Sequence, residues 1–100
     1  MWWAELDAPA GHRPVLLLSR NDAYPVRSLV TVAPVTTRIR KIPVEVPLGP
    51  ADGLPKECVA NLDSVVTIRK ALLRRRLAVL GPAKLQAVGE ALRFALDLGE

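Results

Sequence analysis

A small, mainly antiparallel β barrel with one C-terminal helix is the fold this 100-residue chain predicts, and three observations predict it. Nine prolines, spread from Pro9 to Pro82, divide the chain into short runs. Runs of that kind suit strands and tight turns and do not suit a helical bundle. The runs themselves are apolar and rich in Val, Leu and Thr, residues that fit a pleated, half-buried surface. The period changes only after Pro82, where apolar residues begin to fall at spacings of three and four. Half of the residues are apolar, enough for one modest core and a single domain over residues 1–100.

The elements follow in order. Residues 2–6, Trp-Trp-Ala-Glu-Leu, read as a first strand, and Asp7 to His12, with Pro9 and Gly11, as a turn. Residues 14–19 are a nearly continuous apolar run, the pattern of a strand buried on both faces. Asn21 to Arg27 form a loop punctuated by Pro25, and residues 28–36 form a third strand. Pro34 near its end implies an edge position or a bulge, because proline cannot donate to a ladder. Residues 43–48 alternate with period two and predict a half-exposed strand. Gly49 to Lys56 is turn-rich. Strand character resumes at 57–62 and 65–69, and residues 76–80 supply a last short strand. Pro82 suits the first turn of a helix, where its missing N–H costs nothing. Leu85, Val88, Leu92 and Ala95, widened by Leu96 and Leu98, form its apolar stripe, which would cover the sheet. Lys84, Gln86, Glu90, Arg93 and Asp97 take the opposite face.

Charge and cysteine use narrow the function classes. Fourteen Lys and Arg against ten Asp and Glu leave a formal charge of +4. The surplus is uneven: Arg38, Arg40 and Lys41 form one basic cluster, and Arg69, Lys70, Arg74, Arg75 and Arg76 another. Cys58 is the single cysteine, so no intramolecular disulfide is possible, and with His12 the single histidine no Cys/His zinc cluster can form. No metal or cofactor is expected. The chain has neither a run of 18 apolar residues nor a secretory leader, so it reads as cytoplasmic and without a membrane partner.

Two segments carry the chemistry. The apolar run at residues 14–19 is preceded by Arg13, and the run ending at residue 36 delivers Thr36 and Thr37. If the two pair as neighbouring strands, a guanidinium and a hydroxyl meet at one edge of the sheet. Arginine offers planar, bidentate recognition of phosphate and stays charged. A threonine hydroxyl can donate to a non-bridging oxygen. Together they could stabilise the charge of a pentacoordinate phosphorane. Taken singly, each has a plainer reading, Arg13 as a solvated strand residue and Thr37 as a β-former. His12 is the single imidazole of the chain but points to the opposite side of an extended chain from Arg13.

The ordered set Trp-Trp-x-x-Leu, Arg-Pro-Val-Leu-x-x-Ser-x-Asn-Asp, Val-x-Pro-Val-Thr-Thr, Glu-Val-Pro-Leu and Gly-Leu-Pro resembles the MazF/PemK (Kid) ribonuclease toxins. Cys-Val-Ala-Asn-Leu-Asp-Ser-Val-Val-Thr-Ile at 58–68 and Ala-Leu-Arg-Phe-Ala-Leu-Asp-Leu at 91–98 extend the resemblance over nearly the whole chain. It implies a homodimeric SH3-like barrel that cleaves single-stranded RNA at short sequences without a metal. The implied partner is a cognate antitoxin whose acidic C-terminal tail occupies the RNA groove. By the same resemblance the catalytic arginine falls on Arg13 and the catalytic threonine on Thr36. RNA contact falls to Asn21, Thr37, Arg38, Arg40, Lys41 and Asp63. The general base stays open between His12 and Asp63.

Two features depart from the family pattern. The family carries a short basic leader before its tryptophan, whereas here Trp2 follows Met1, which implies an upstream start or a trimmed first strand. The turn before His12 is also shorter than the family's mobile loop, which leaves base choice open. Two rivals share the fold: a gyrase-poisoning toxin, which in relatives uses a tryptophan-bearing C-terminal end absent here, and a barrel that binds without cutting.

Overall fold

A computed structural model describes residues 1–6, 11–18 and 28–97. Seven strands precede one helix: β1 (Trp2–Glu5), β2 (His12–Leu17), β3 (Leu29–Thr36), β4 (Glu45–Leu48), β5 (Cys58–Asn61), β6 (Val66–Arg69), β7 (Leu73–Arg76) and α1 (Pro82–Ala95). Single 3₁₀ turns at Pro50–Asp52, Leu62–Ser64 and Lys70–Leu72 join the later strands. Every strand pair is antiparallel, in the order β4-β5-β3-β2-β1-β7 with β6 also on β3. The sheet is barrel-like but does not close, because no pairing joins β4 to β7. No described helix is long and apolar enough to cross a membrane.

β3 is the centre of this arrangement. One edge pairs with β2 (Leu17↔Val32, Val15↔Pro34). The other edge pairs first with β6, from Leu29↔Arg69 to Val32↔Val66, and then with β5, at Val35↔Ala60 and Thr36↔Val59. Ala33 and Pro34 fall between these two partners. Pro34 therefore stands inside the sheet, not at the edge or bulge expected of it. Its missing N–H is tolerated because the second ladder is interrupted there.

Alternation along β2 and β3 creates two cores, one on each face of the sheet. Ala4, Val15, Val30 and Val32 form the smaller one. Leu16, Ala33 and Val35 join the larger, with Val46, Ala60, Leu62 and residues of the helix. Val15 and Leu16 are both buried, at 0% and 4% exposure, as a strand covered on both faces requires.

Three further expectations are corrected. The last strand lies at Leu73–Arg76, not 76–80; it pairs with β1 from Trp2↔Arg76. An edge strand can leave arginines in water, so an Arg-rich run is no bar to it. Residues 77–80 instead run alongside the chain start, where the Leu77 N–H donates to the Met1 carbonyl at 2.8 Å. The strand expected at 43–48 begins at Glu45, after a turn, and Glu45 is buried while Pro47 is exposed. The helix buries a narrower stripe than its leucines suggested. Val88 and Ala91 face the core, Ala87 and Leu92 pack beside them, and Leu85 is 54% exposed. Small residues on the inward face let the helix lie close to β4 and the Leu62–Ser64 turn. Lys84 reaches back from the helix to donate to the Pro47 carbonyl. Leu98 lies outside the described residues.

Leu62 is among the largest fully buried side chains and is only 1% exposed. Leu62→Ala is expected to lower the unfolding free energy by about 2–5 kcal/mol. Urea denaturation at unchanged m-value checks this, and a loss under about 1 kcal/mol would show that the turn is not part of the core.

Candidate functional site

Strand parity decides which side chains share a face. Val15 and Pro34 are the last paired residues of β2 and β3 at this end of the sheet. Arg13 and Thr36 each stand one two-residue repeat beyond that pair, so both project on the face of the smaller core. There they line one cleft of about 350 Å³, together with Leu6, Pro34, Arg38, Arg40, Glu45, Asn61, Ser64 and Val66. The cleft opens where β5 and β6 part from β3. Pro34 forms its floor beside Thr36, and Asn61, Ser64 and Val66 come from the end of β5, the 3₁₀ turn and the start of β6.

The Thr36 hydroxyl oxygen accepts the Arg38 N–H at 3.1 Å. That bond orients the hydroxyl and leaves its own hydrogen available to a ligand. The loop that follows carries the first basic cluster. Arg38 and Arg40 line the cleft, and Lys41 is exposed in the left-handed region at φ 58°. A non-glycine residue there costs on the order of 1–2 kcal/mol, so something must hold it. Glu45 does, since its Oε1 accepts the Arg40 N–H at 2.8 Å and the Lys41 N–H at 3.1 Å. Within the described residues, the cleft thus holds three arginines and one carboxylate, a surface suited to an anion.

The other expected residues are placed differently. Thr37 is exposed and lines a second cavity on the opposite face. Asp63 is exposed and does not line the cleft; its N–H is taken by the Asn61 Oδ1 at 2.9 Å. Asn21 lies outside the described residues. His12 points away from Arg13, as parity requires. Its Nδ1 lies 2.7 Å from the Glu5 carboxylate, and its ring stacks on Trp3 with centroids 4.5 Å apart. Among the described residues no three His, Cys, Asp or Glu side chains come together in a metal-binding group.

Glu45, Asn61 and Ser64 are the cleft residues that sequence reasoning missed. The strand pattern alone turned Glu45 toward water. One signal was available: Glu45 follows a short run of cations across a Pro-containing turn, where a carboxylate can cap backbone N–H groups.

The fold and sequence both have relatives. Residues 1–96 match the family described as PemK-like, MazF-like toxin of type II toxin–antitoxin system. The chain is 42% identical over 98 residues to the probable endoribonuclease MazF5 of Mycobacterium tuberculosis, covering 97% of this chain and 89% of that protein. Toxin MazF-mt6 of M. tuberculosis superposes with a TM-score of 0.91 at 36% identity, covering 99% of this chain and 97% of that one. A mycobacterial endoribonuclease solved with its cognate antitoxin superposes at 0.85 with 31% identity, over 99% of this chain and 94% of that one.

The second cavity, about 190 Å³, lies at the open end of the larger core between Trp3, Pro14, Val35, Leu54 and Cys58, with Thr36 and Thr37 at its rim. Burial first, and Asp52 nearby second, push the Cys58 thiol above its ordinary range. The thiol is the unreactive form, so the native protein is expected to resist iodoacetamide at pH 7.5 and to react once unfolded. Labelling followed by mass spectrometry checks this, and fast labelling of the folded protein would contradict it.

Proposed function

The chain belongs to the PemK-like, MazF-like toxins of type II toxin–antitoxin systems, and on that premise we propose that it is an endoribonuclease cutting single-stranded RNA in the cleft between Arg13 and Thr36. The observation that carries this reading is the delivery of a guanidinium and a hydroxyl to one face by β2 and β3. An arginine-lined cleft of this kind suits a phosphodiester.

The chemistry follows from the groups present. The ribose 2′-hydroxyl attacks the adjacent phosphorus and gives its proton to water, the bond to the 5′ oxygen breaks, and that oxygen takes a proton from water, so the products carry a 2′,3′-cyclic phosphate and a 5′-hydroxyl. The nucleophile comes from the substrate, so the protein has to supply position and charge. Arg13 stabilises the added negative charge of the phosphorane; a guanidinium hardly deprotonates, so it is not the proton donor. Thr36 donates to a non-bridging oxygen, with Arg38 N–H on the other side of its hydroxyl. Arg38, Arg40 and Lys41 hold neighbouring phosphates. Such a reaction needs no metal and cannot run on DNA, which lacks the hydroxyl.

The protein acts as a growth-inhibiting toxin in the cytoplasm, where RNA is translated. A cognate antitoxin neutralises it, its acidic tail laid along the same basic cleft. The working form is a homodimer. Val79, Leu85, Phe94 and Leu96 support this, because a single chain leaves all four exposed.

The test incubates purified protein in EDTA with a mixed-sequence RNA and its 2′-deoxy copy. The RNA is expected to be cut to 5′-hydroxyl ends and the deoxy copy left intact. Arg13→Ala and Thr36→Val should each lower the rate by about 10²-fold or more, the scale for losing one oxyanion-stabilising donor. Cutting of the deoxy copy, or full activity of Arg13→Ala, would sink the mechanism. Sizing at micromolar concentration should give a dimer, and a monomer would remove that part of the proposal.

A further inference from the structure

We infer that Glu45 is a positioning residue for this reaction: its carboxylate fixes the 38–42 loop so that Arg38 and Arg40 face the cleft holding Arg13 and Thr36. The inference rests on the reading of that cleft as the RNA site.

Burial is the first observation. Glu45 is 8% exposed, although Pro47, two residues along the same strand, is exposed. A strand position turned toward water is covered here because the preceding loop folds over it. The second is the number of bonds that close the loop on this residue. The Glu45 N–H donates to the Ile42 carbonyl at 3.0 Å, while Oε1 accepts from both Arg40 and Lys41. The third is the left-handed backbone at Lys41, which turns two successive N–H groups toward one oxygen. A residue other than glycine stays in that conformation only where its surroundings hold it.

Charge makes the choice of residue informative. A carboxylate in a cleft meant for phosphate weakens the attraction, so phosphate affinity alone would not select it. What it supplies is direction. Without it the loop's cations would sample solvent, and ordering them on RNA would cost conformational entropy at the moment of binding.

The experiment compares wild type, Glu45→Gln and Glu45→Ala in three measurements. These are the exchange rates of the Arg40 and Lys41 amides, affinity for an uncuttable 2′-O-methyl RNA across a salt series, and the cleavage rate of the unmodified RNA. An amide oxygen can accept both N–H groups, so Glu45→Gln is expected to protect the two amides and to bind and cut within about threefold of wild type. Glu45→Ala should expose both amides and weaken binding by about tenfold. It should also flatten the log–log salt dependence by up to about 2, since each of three loop cations contributes roughly 0.7 on a single strand.

Two results would overturn the inference. If Glu45→Gln binds like wild type but cuts as poorly as Glu45→Ala, Glu45 touches the reacting atoms as a base. If Glu45→Ala leaves the amides protected, the loop does not hang on this carboxylate. Wild type that cuts no RNA would instead remove the proposed activity, and amide exchange would still decide what Glu45 holds.

Discussion

The interrupted second edge of β3 is the constraint on which the site depends. A strand paired evenly on both edges would keep β5 and β6 in one continuous ladder. At Ala33 and Pro34 the partner changes, and the chain between β5 and β6 leaves the sheet as the Leu62–Ser64 turn. The gap so formed is the cleft, floored by the proline that cannot fill it with a hydrogen bond. Leu62 is driven inward on one side of the turn while Ser64 faces the cleft on the other. One helical face then seals the larger core beneath, through alanines small enough to permit close contact.

The two sets of cleft residues are supported in different ways. Arg13 and Thr36 sit on strands whose register is fixed by burial on both faces, because a slip of one residue would turn Val15 and Val32 out of their core. Arg38 and Arg40 belong to a loop with no such enforcement, and their placement falls to one buried side chain. The groups assigned to the phosphorane are thus the rigid ones. The groups assigned to neighbouring phosphates are held by a replaceable contact, which is where change in RNA preference would be tolerated first.

Most of the fold was legible in the sequence because its signals are local. The two apolar runs put Arg13 and Thr36 at one edge on condition that they pair, and parity turned His12 away from Arg13; the shared face of Arg13 and Thr36 follows only from the β2–β3 register. Apolar continuity marked β2 as buried twice. The failures at β7 and on the helix share a cause: the deciding partner lies far away in sequence. At Glu45 it lies only four and five residues away, in a loop whose fold a strand pattern does not show. β7 was misplaced because its pairing with β1 is invisible at Arg74–Arg76 itself. Leu85 reads as core on a helical wheel, yet the face that meets β4 is chosen by the smaller Ala87 and Ala91. Glu45 reads as a solvent-facing strand residue until the loop before it is folded over. Asn61 and Ser64 carry no chemical signature that a single sequence reveals.

The outermost strand pair joins Trp2 to Arg76. β1 is therefore among the last of these strands to find its second neighbour, and contacts of this span make folding slow relative to a helical protein of the same size. During synthesis, β1 and β2 can form a hairpin early, but β1 keeps an open edge until residue 76 has emerged. The sheet is in this way kept from completing its outer pair until about three quarters of the chain has been synthesised.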